Sequence, residues 1–284
     1  MIGHPIHWRE MAAKWKLVGP PLRPSPADAA CFQAAIAQWR SSQSRAPRAL
    51  ILGVTPELFF LDWPADTRLT ALDNSAEMIA ELWPGTSGSA VLGSWTDAPL
   101  EAHSQDLILL DGGFGVLSHP EGQHALLGEI RRLLAPGGLF AVRLFAPVGR
   151  TGSLEAIGSD LGAGRVASLD ALKLRLWGAL HRDLQAGVRP RDVVEEIEAL
   201  AGGNIHRLAS AFGWSPEHVN TLELHRQSDA TYHLAGVDDL RYMLTTQPGL
   251  KLSSVAIPQH EFGESCPVVT VQNLHHRYRE KNQR

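Results

Sequence analysis

An α/β fold, with a doubly wound and largely parallel sheet, is predicted by three observations. Apolar runs of strand length alternate with helical patterns from residue 48 to about residue 145, the order that builds a parallel sheet covered by helices. The runs A-L-I-L and L-I-L-L carry no polar residue, as strands buried on both faces require. Asp73 ends the second run about 20 positions after Gly53, the separation at which a carboxylate reaches the ribose of a nucleotide held over the first strand.

The elements follow in order. Residues 1–24 hold Trp8 and Trp15 and the turn-rich run G-P-P-L-R-P-S-P. Ser25-Pro26-Ala27-Asp28 offers a serine cap, a proline at the first helical position and an acid three residues after the cap, so a helix is expected to about residue 40. A strand over 48–52 enters Gly53-Val54, and Thr55-Pro56-Glu57 supplies the cap and first turn of a short helix. A strand over 69–72 ends at Asp73, and Ser75 caps a helix with Met78, Ile79 and Leu82. Strands over 90–92 and 107–110 follow, the second ending in Asp111-Gly112-Gly113-Phe114. A helix over 123–134 stops at Ala135-Pro136-Gly137-Gly138, a breaker and tight turn before a strand over 139–145.

Residues 151–225 break the alternation. Leu169, Leu172, Leu176, Trp177, Leu180 and Leu184 recur at helical spacing, as do Val193, Val194, Ile197 and Leu200, so an inserted helical subdomain is expected. A helix over 237–244, strands over 251–257 and 268–273, and a charged tail expected to fray complete the chain. The organisation is therefore an arm and cap helix (1–46), a sheet core (47–150), a helical lid (151–225) and the last strands (226–284).

A net charge of −4 provides no global field for a polyanion, so a nucleic-acid partner is not expected. Cys31 and Cys266 form no C-x-x-C, which makes a zinc knuckle or disulfide framework unexpected and a reducing cytoplasm the default. The N-terminus has no apolar signal core, and no stretch approaches membrane-span length. A soluble cytoplasmic protein is expected, with homo-oligomerisation left open. The pairs His4/His7 and His275/His276 lack the partners a metal site needs.

With Asp73 at the end of strand two, D-L-I-L-L-D-G-G-F and E-I-R-R-L-L-A-P-G-G-L-F-A-V-R-L in place, the chain resembles the class I S-adenosylmethionine (SAM)-dependent methyltransferases. The resemblance covers about residues 47–145 and the last ~50, but not the insertion. It implies a Rossmann-like, seven-stranded sheet with SAM as cofactor and a small-molecule acceptor methylated at oxygen or nitrogen. D-G-G-F stands where enzymes acting on exocyclic adenine or glutamine nitrogens carry N-P-P-Y. The family's D-x-G-x-G-x-G loop is altered: Ile51 replaces the acid, and Gly53, Thr55 and Glu57 stand at the glycine positions. SAM has no phosphate to press against bare backbone, so side chains are less prohibitive here than in a dinucleotide loop.

The resemblance carries roles to individual residues. Gly53, Val54 and Thr55 would line the cofactor, and Glu57 would face its ammonium or sulfonium charge; the alternative is that Glu57 only complements the helix dipole. Asp73 would take the ribose hydroxyls, with Asn74 and Met78 beside it. Ser94 and Trp95 lie where the family holds adenine. Asp111 and Gly112 would lie near the transferred methyl, with Asp111 holding the amino group or acting as base; otherwise it starts a turn. Arg23, in the arm, has the fork suited to the methionine carboxylate; otherwise it is a surface charge. His119, after strand four, could deprotonate an acceptor. Trp177, Leu180, Phe212 and Trp214 either line an acceptor pocket or pack the lid. A non-catalytic relative, an enzyme of this fold with other chemistry and an NAD-dependent oxidoreductase are the rival readings.

Overall fold

The structure, a computed structural model, describes residues 6–147 and 152–274. His4, His275, His276 and the 275–284 tail lie outside the described residues, as do the side chains of His7 and Trp8. The described strands are β1 (Arg48–Leu52), β2 (Arg68–Asp73), β3 (Ala90–Leu92), β4 (Gln105–Asp111), β5 (Leu134–Arg143), β6 (Leu250–Ala256) and β7 (Val268–Asn273). They form one seven-stranded sheet in the order β3-β2-β1-β4-β5-β7-β6. The first five strands pair in parallel, and β7 enters antiparallel between β5 and β6.

The all-apolar strands serve two cores at once. Leu50, Leu52, Ile108, Leu110, Phe140 and Val142 pack on one face of the sheet. Their alternates Ala49, Ile51, Leu107, Leu109, Leu139 and Ala141 pack on the other, as the two-residue period of a strand dictates. The helices that cover these faces are α2 (Pro26–Ser42) and α3 (Pro56–Phe59) on the second, and α5 (Glu121–Leu133) and α12 (Val237–Leu244) on the first. A further pair, α1 (Ile6–Lys14) and α4 (Ala76–Leu82), brings Ala12 against Val54 and Met78.

The caps follow the sequence with one exception. Ser25 Oγ accepts the Asp28 N–H while the Asp28 carboxylate accepts the Ser25 N–H at 2.7 Å, a complete capping box. Ser75 Oγ accepts the Met78 N–H at 3.2 Å. Thr55 stands at the cap position of α3, but its hydroxyl makes no cap bond. Among the described helices, three escape the sequence reading: α1, α6 (Leu154–Gly162) and α11 (Leu222–Arg226). Met11 and Ala12 are the buried apolar residues described in α1, too few to mark a period. The expected stop and strand at A-P-G-G also differ. β5 begins at Leu134, opposite Gln105, and pairing resumes only at Leu107↔Leu139. The A-P-G-G segment thus bulges from within a strand, with Asn273 Nδ2 donating to Leu134 O at 2.9 Å behind it.

The inserted lid comprises α6, α7 (Leu169–Leu180), α8 (Pro190–Leu200), α9 (Ile205–Phe212), α10 (Pro216–Val219) and α11 (Leu222–Arg226). It has its own core around Leu172, Leu176, Val194 and Ile197, into which Phe145 and Leu22 also pack. The arm is fastened to this lid by a buried charge. Asp170 accepts the Gly19 N–H at 2.7 Å and lies 2.6 Å from Lys173 Nζ and 3.2 Å from His218 Nε2. Burial works against the carboxylate, but the Lys173 and His218 charges and bonds outweigh it and hold its pKa down to about 2.

A folded pKa below the unfolded value makes this contribution complete above about pH 4 and lost as pH falls towards 2. Asp170→Asn is therefore expected to remove on the order of 2 kcal/mol of stability at neutral pH. Native and variant proteins should converge in denaturant titrations as pH falls through that window. Parallel acid profiles would show that the joint is not coupled to folding. Among the described residues, no helix is long and apolar enough to cross a membrane.

Candidate active site

In an open parallel sheet, ligands bind outside the carboxyl ends of the strands where the strand order reverses. Here that place lies at the ends of β1, β2 and β4. β1 leads directly into Gly53, whose φ of +87° is a conformation that suits glycine and whose N–H donates to Leu72 O at 2.8 Å. β2 ends in Asp73, which is 7% exposed and accepts the Ser75 N–H on Oδ1 at 2.8 Å. Its Oδ2 lies on the Gly53 side, 3.9 Å from where a Cβ on Gly53 would stand. The sequence separation thus translates into a carboxylate facing the first strand's glycine.

Trp95 crosses the same place. Its Nε1 donates to Leu72 O at 2.8 Å. The far edge of the indole is 3.6 Å from a Cβ built on Gly53 and 2.8 Å from one on Gly113, so a side chain at Gly113 would collide with it. The ring therefore spans the ends of β2, β1 and β4. Ser94 and Asn74 are exposed on the rim, with Ser94 Oγ bonded to Thr96 Oγ1 at 3.0 Å. Val54 and Met78 are buried with Ala12 under the arm, so they act as packing beneath the loop.

The charges expected at the methionine end have found each other. Arg23 Nη2 lies 2.5 Å from Glu57 Oε1, while Arg23 Nη1 donates to Val18 O at 3.4 Å. Among the described residues, Arg23 Nε and Glu57 Oε2 are buried without a hydrogen-bond partner: one spare donor beside one spare acceptor.

Asp111, expected to hold the amino group, act as base or start a turn, is paired with Arg143. Arg143 Nε lies 2.5 Å from Asp111 Oδ1 and Nη2 lies 3.2 Å from Oδ2, so both carboxylate oxygens are engaged. The guanidinium also donates to Pro21 O at 2.9 Å and lies 3.5 Å from Asp28 Oδ2. Burial pushes the Asp111 carboxyl up against the pull of Arg143, and Asp28 and Glu57 add to the rise. Burial is likewise opposed at Asp28, where Arg143, Ser25 and His260 together hold the acid below its usual range. His260 Nδ1 accepts the Phe262 N–H at 3.1 Å, so its Nε2–H is the donor to Asp28 Oδ1, also at 3.1 Å.

Arg143 was missed as a site residue; its signal was one cation inside an otherwise apolar strand, A-V-R-L-F. Phe145 stacks on this guanidinium at 5.1 Å and stands 2.7 Å from a Cβ built on Gly112. Behind it lies Trp177, 6.1 Å away between ring centres. Phe212 and Trp214 instead pair within the lid at 5.0 Å.

His119 is half-buried and its Nδ1 lies 2.9 Å from Gln123 Oε1. The Gln123 amide nitrogen donates to Phe114 O and His233 O, which fixes Oε1 as acceptor and Nδ1–H as donor. The neutral ring therefore carries its lone pair on Nε2. The His233 ring lies 6.4 Å from His119. Burial first and then the His233 charge lower the pKa of nearby His181; sequence reasoning did not single out His181. Among the described residues, no group of His, Cys, Asp and Glu could hold a metal ion.

A family model described as a methyltransferase domain matches residues 52–142, from the end of β1 to the end of β5. Residues 52–142 are thus similar to a methyltransferase domain. The matched residues include the ends of β1, β2 and β4 that form the crevice just described. Several solved structures share the fold. The N-methyltransferase NodS of Bradyrhizobium japonicum, in complex with S-adenosylhomocysteine (SAH), aligns at TM-score 0.50 and 13% identity over 94% of this chain and 99% of that one. The CcbJ methyltransferase of Streptomyces caelestis aligns at 0.52 and 14% identity over 93% and 96%. A Rhodobacter sphaeroides protein assigned to the Zn-dependent alcohol dehydrogenases aligns at 0.61 and 13% identity over 94% and 97%. At these identities the likeness is one of fold. No curated protein matches the chain.

The crevice suits SAM at its two ends. Asp73 faces Gly53 where a ribose diol would lie, and the spare N–H of Arg23 beside the spare oxygen of Glu57 suits an amino-acid zwitterion. Between these ends, the space is held by the Trp95 ring.

Proposed function

We propose that this chain binds SAM along the β2–β1–β4 crevice and serves methyl transfer to oxygen or nitrogen of a small molecule. The observation that carries the reading is the Asp73 carboxylate set against Gly53 at the end of β1. Asp73 takes the ribose hydroxyls. Arg23 Nε and Glu57 Oε2 meet the carboxylate and ammonium of the methionine moiety, which leaves neither as a buried orphan. Asn74 and Ser94 border the adenine end from the rim, and Gly112 lets Phe145 close the far wall. When bound, the sulfonium supplies an already electrophilic methyl group, so the protein's task is alignment and exclusion of water.

Asp111 serves as a positioning residue, holding Arg143 and through it the arm at Pro21. The lone pair at His119 Nε2 receives the acceptor's proton where the acceptor carries one. The acidic net charge and the lid packed on Phe145 support a small acceptor over a polyanion.

A second reading, a non-catalytic domain of the same fold, is favoured by the indole lying across the crevice. Calorimetric titration of the native chain with SAH separates the two. Saturable binding is expected, and no heat at millimolar SAH would leave the second reading standing.

A further inference from the structure

We infer that Trp95 is a self-occupying gate: its indole lies in the cofactor crevice and must rotate out before SAM can enter. The inference rests on the SAM-binding reading of the crevice. Three independent contacts place the ring. Its Nε1–H is bonded to Leu72 O, the carbonyl that also accepts the Gly53 N–H. Its benzo edge lies against Gly53 and still closer against Gly113. A cofactor held by Asp73 and reaching the Arg23–Glu57 pair has to pass over Gly53, where the ring now lies.

The gate is built to open. Trp95 is only half-buried, and it sits in G-S-W-T-D-A-P, a segment outside the named strands, held by the short Ser94–Asp97 bridge. What it gives up on leaving is one hydrogen bond, contact with two glycines and its packing against the edge of the core on that face of the sheet. Leu72 O keeps the Gly53 N–H, so no buried carbonyl is orphaned. A state in which the ring must be displaced binds its ligand more weakly than the open state, by the fraction of molecules already open.

The test is SAH titration of the native chain, Trp95→Ala and Trp95→Phe, each shown to be folded by a cooperative thermal transition. Trp95→Phe keeps an apolar ring but loses the N–H that ties it to Leu72 O, and it carries the test if the alanine variant is too unstable. The expected result is SAH binding at least fivefold tighter in Trp95→Ala, with Trp95→Phe in between. Native binding with equal or weaker binding in both variants would overturn the gate while leaving the cofactor reading intact, because the indole would then be a wall of the site. A silent native chain beside a binding Trp95→Ala would uphold the gate and remove the native chain's reading as a SAM enzyme. No binding by any of the folded proteins would overturn both.

Discussion

Arg143→Met is expected to destabilise the protein by roughly 3–5 kcal/mol, the range for breaking a buried ion pair from one side. Arg143 and Asp28 have side chains 0% exposed and Asp111 6%. With the guanidinium gone, two buried carboxylates face each other without a cation, while Pro21 O loses its donor. Removal of the side chain also strips Phe145 of the group it stacks on. The effect should appear as a lower urea midpoint with an unchanged slope, since the folded topology does not depend on this contact. Adding Asp111→Leu to Arg143→Met should restore part of the loss, because one of the stranded charges is removed with it. If the single variant unfolds within about 0.5 kcal/mol of the native chain, the network is wetter than its geometry indicates.

Asp73→Ala is expected to weaken SAH binding at least tenfold, a change of about 1.4 kcal/mol. The side chain has two duties that can be told apart. Oδ1 receives the Ser75 N–H at the start of α4, and Oδ2 lies toward Gly53. Asp73→Asn keeps an acceptor for Ser75 but removes the charge and one acceptor oxygen. It should therefore melt close to the native protein and still bind SAH poorly. Calorimetry of the two variants beside their thermal transitions separates a ligand role from a local structural one. Native-like affinity in both would mean that the ribose is not held at the end of β2.

Much of the fold was legible because its signals are local. A-L-I-L and L-I-L-L can only be satisfied by burial on both faces, and the structure gives each alternate residue a different core. Ser25-Pro26 and Ser75 make their cap bonds within three residues. The lid's leucine spacing places α7 and α8 for the same reason. The A-P-G-G segment has the residues of a boundary between helix and strand, whereas Leu134 already pairs with Gln105. Local breakers mark a turn but do not say which strand it interrupts.

The site divides along the same line. Asp73 could be located from its distance to Gly53, since strand and loop lengths set where the end of β2 falls. Arg23, Glu57 and Asp111 could be nominated from residue type and family position, but not their partners. Arg23 meets Glu57 across the arm and α3, and Asp111 meets Arg143 across two neighbouring strands. A charged group pairs with the nearest opposite charge that burial leaves it, and that neighbour is chosen by packing.

From the sequence alone came a doubly wound sheet, a lid and an acid aimed at the first loop. Periodicity, capping and spacing act over a few residues and are written in their order. Only the folded chain decided that Trp95 lies across the crevice, because a side-chain torsion is selected by what surrounds it. Here Leu72 O, Gly53 and Gly113, from three different strand ends, are what surround it.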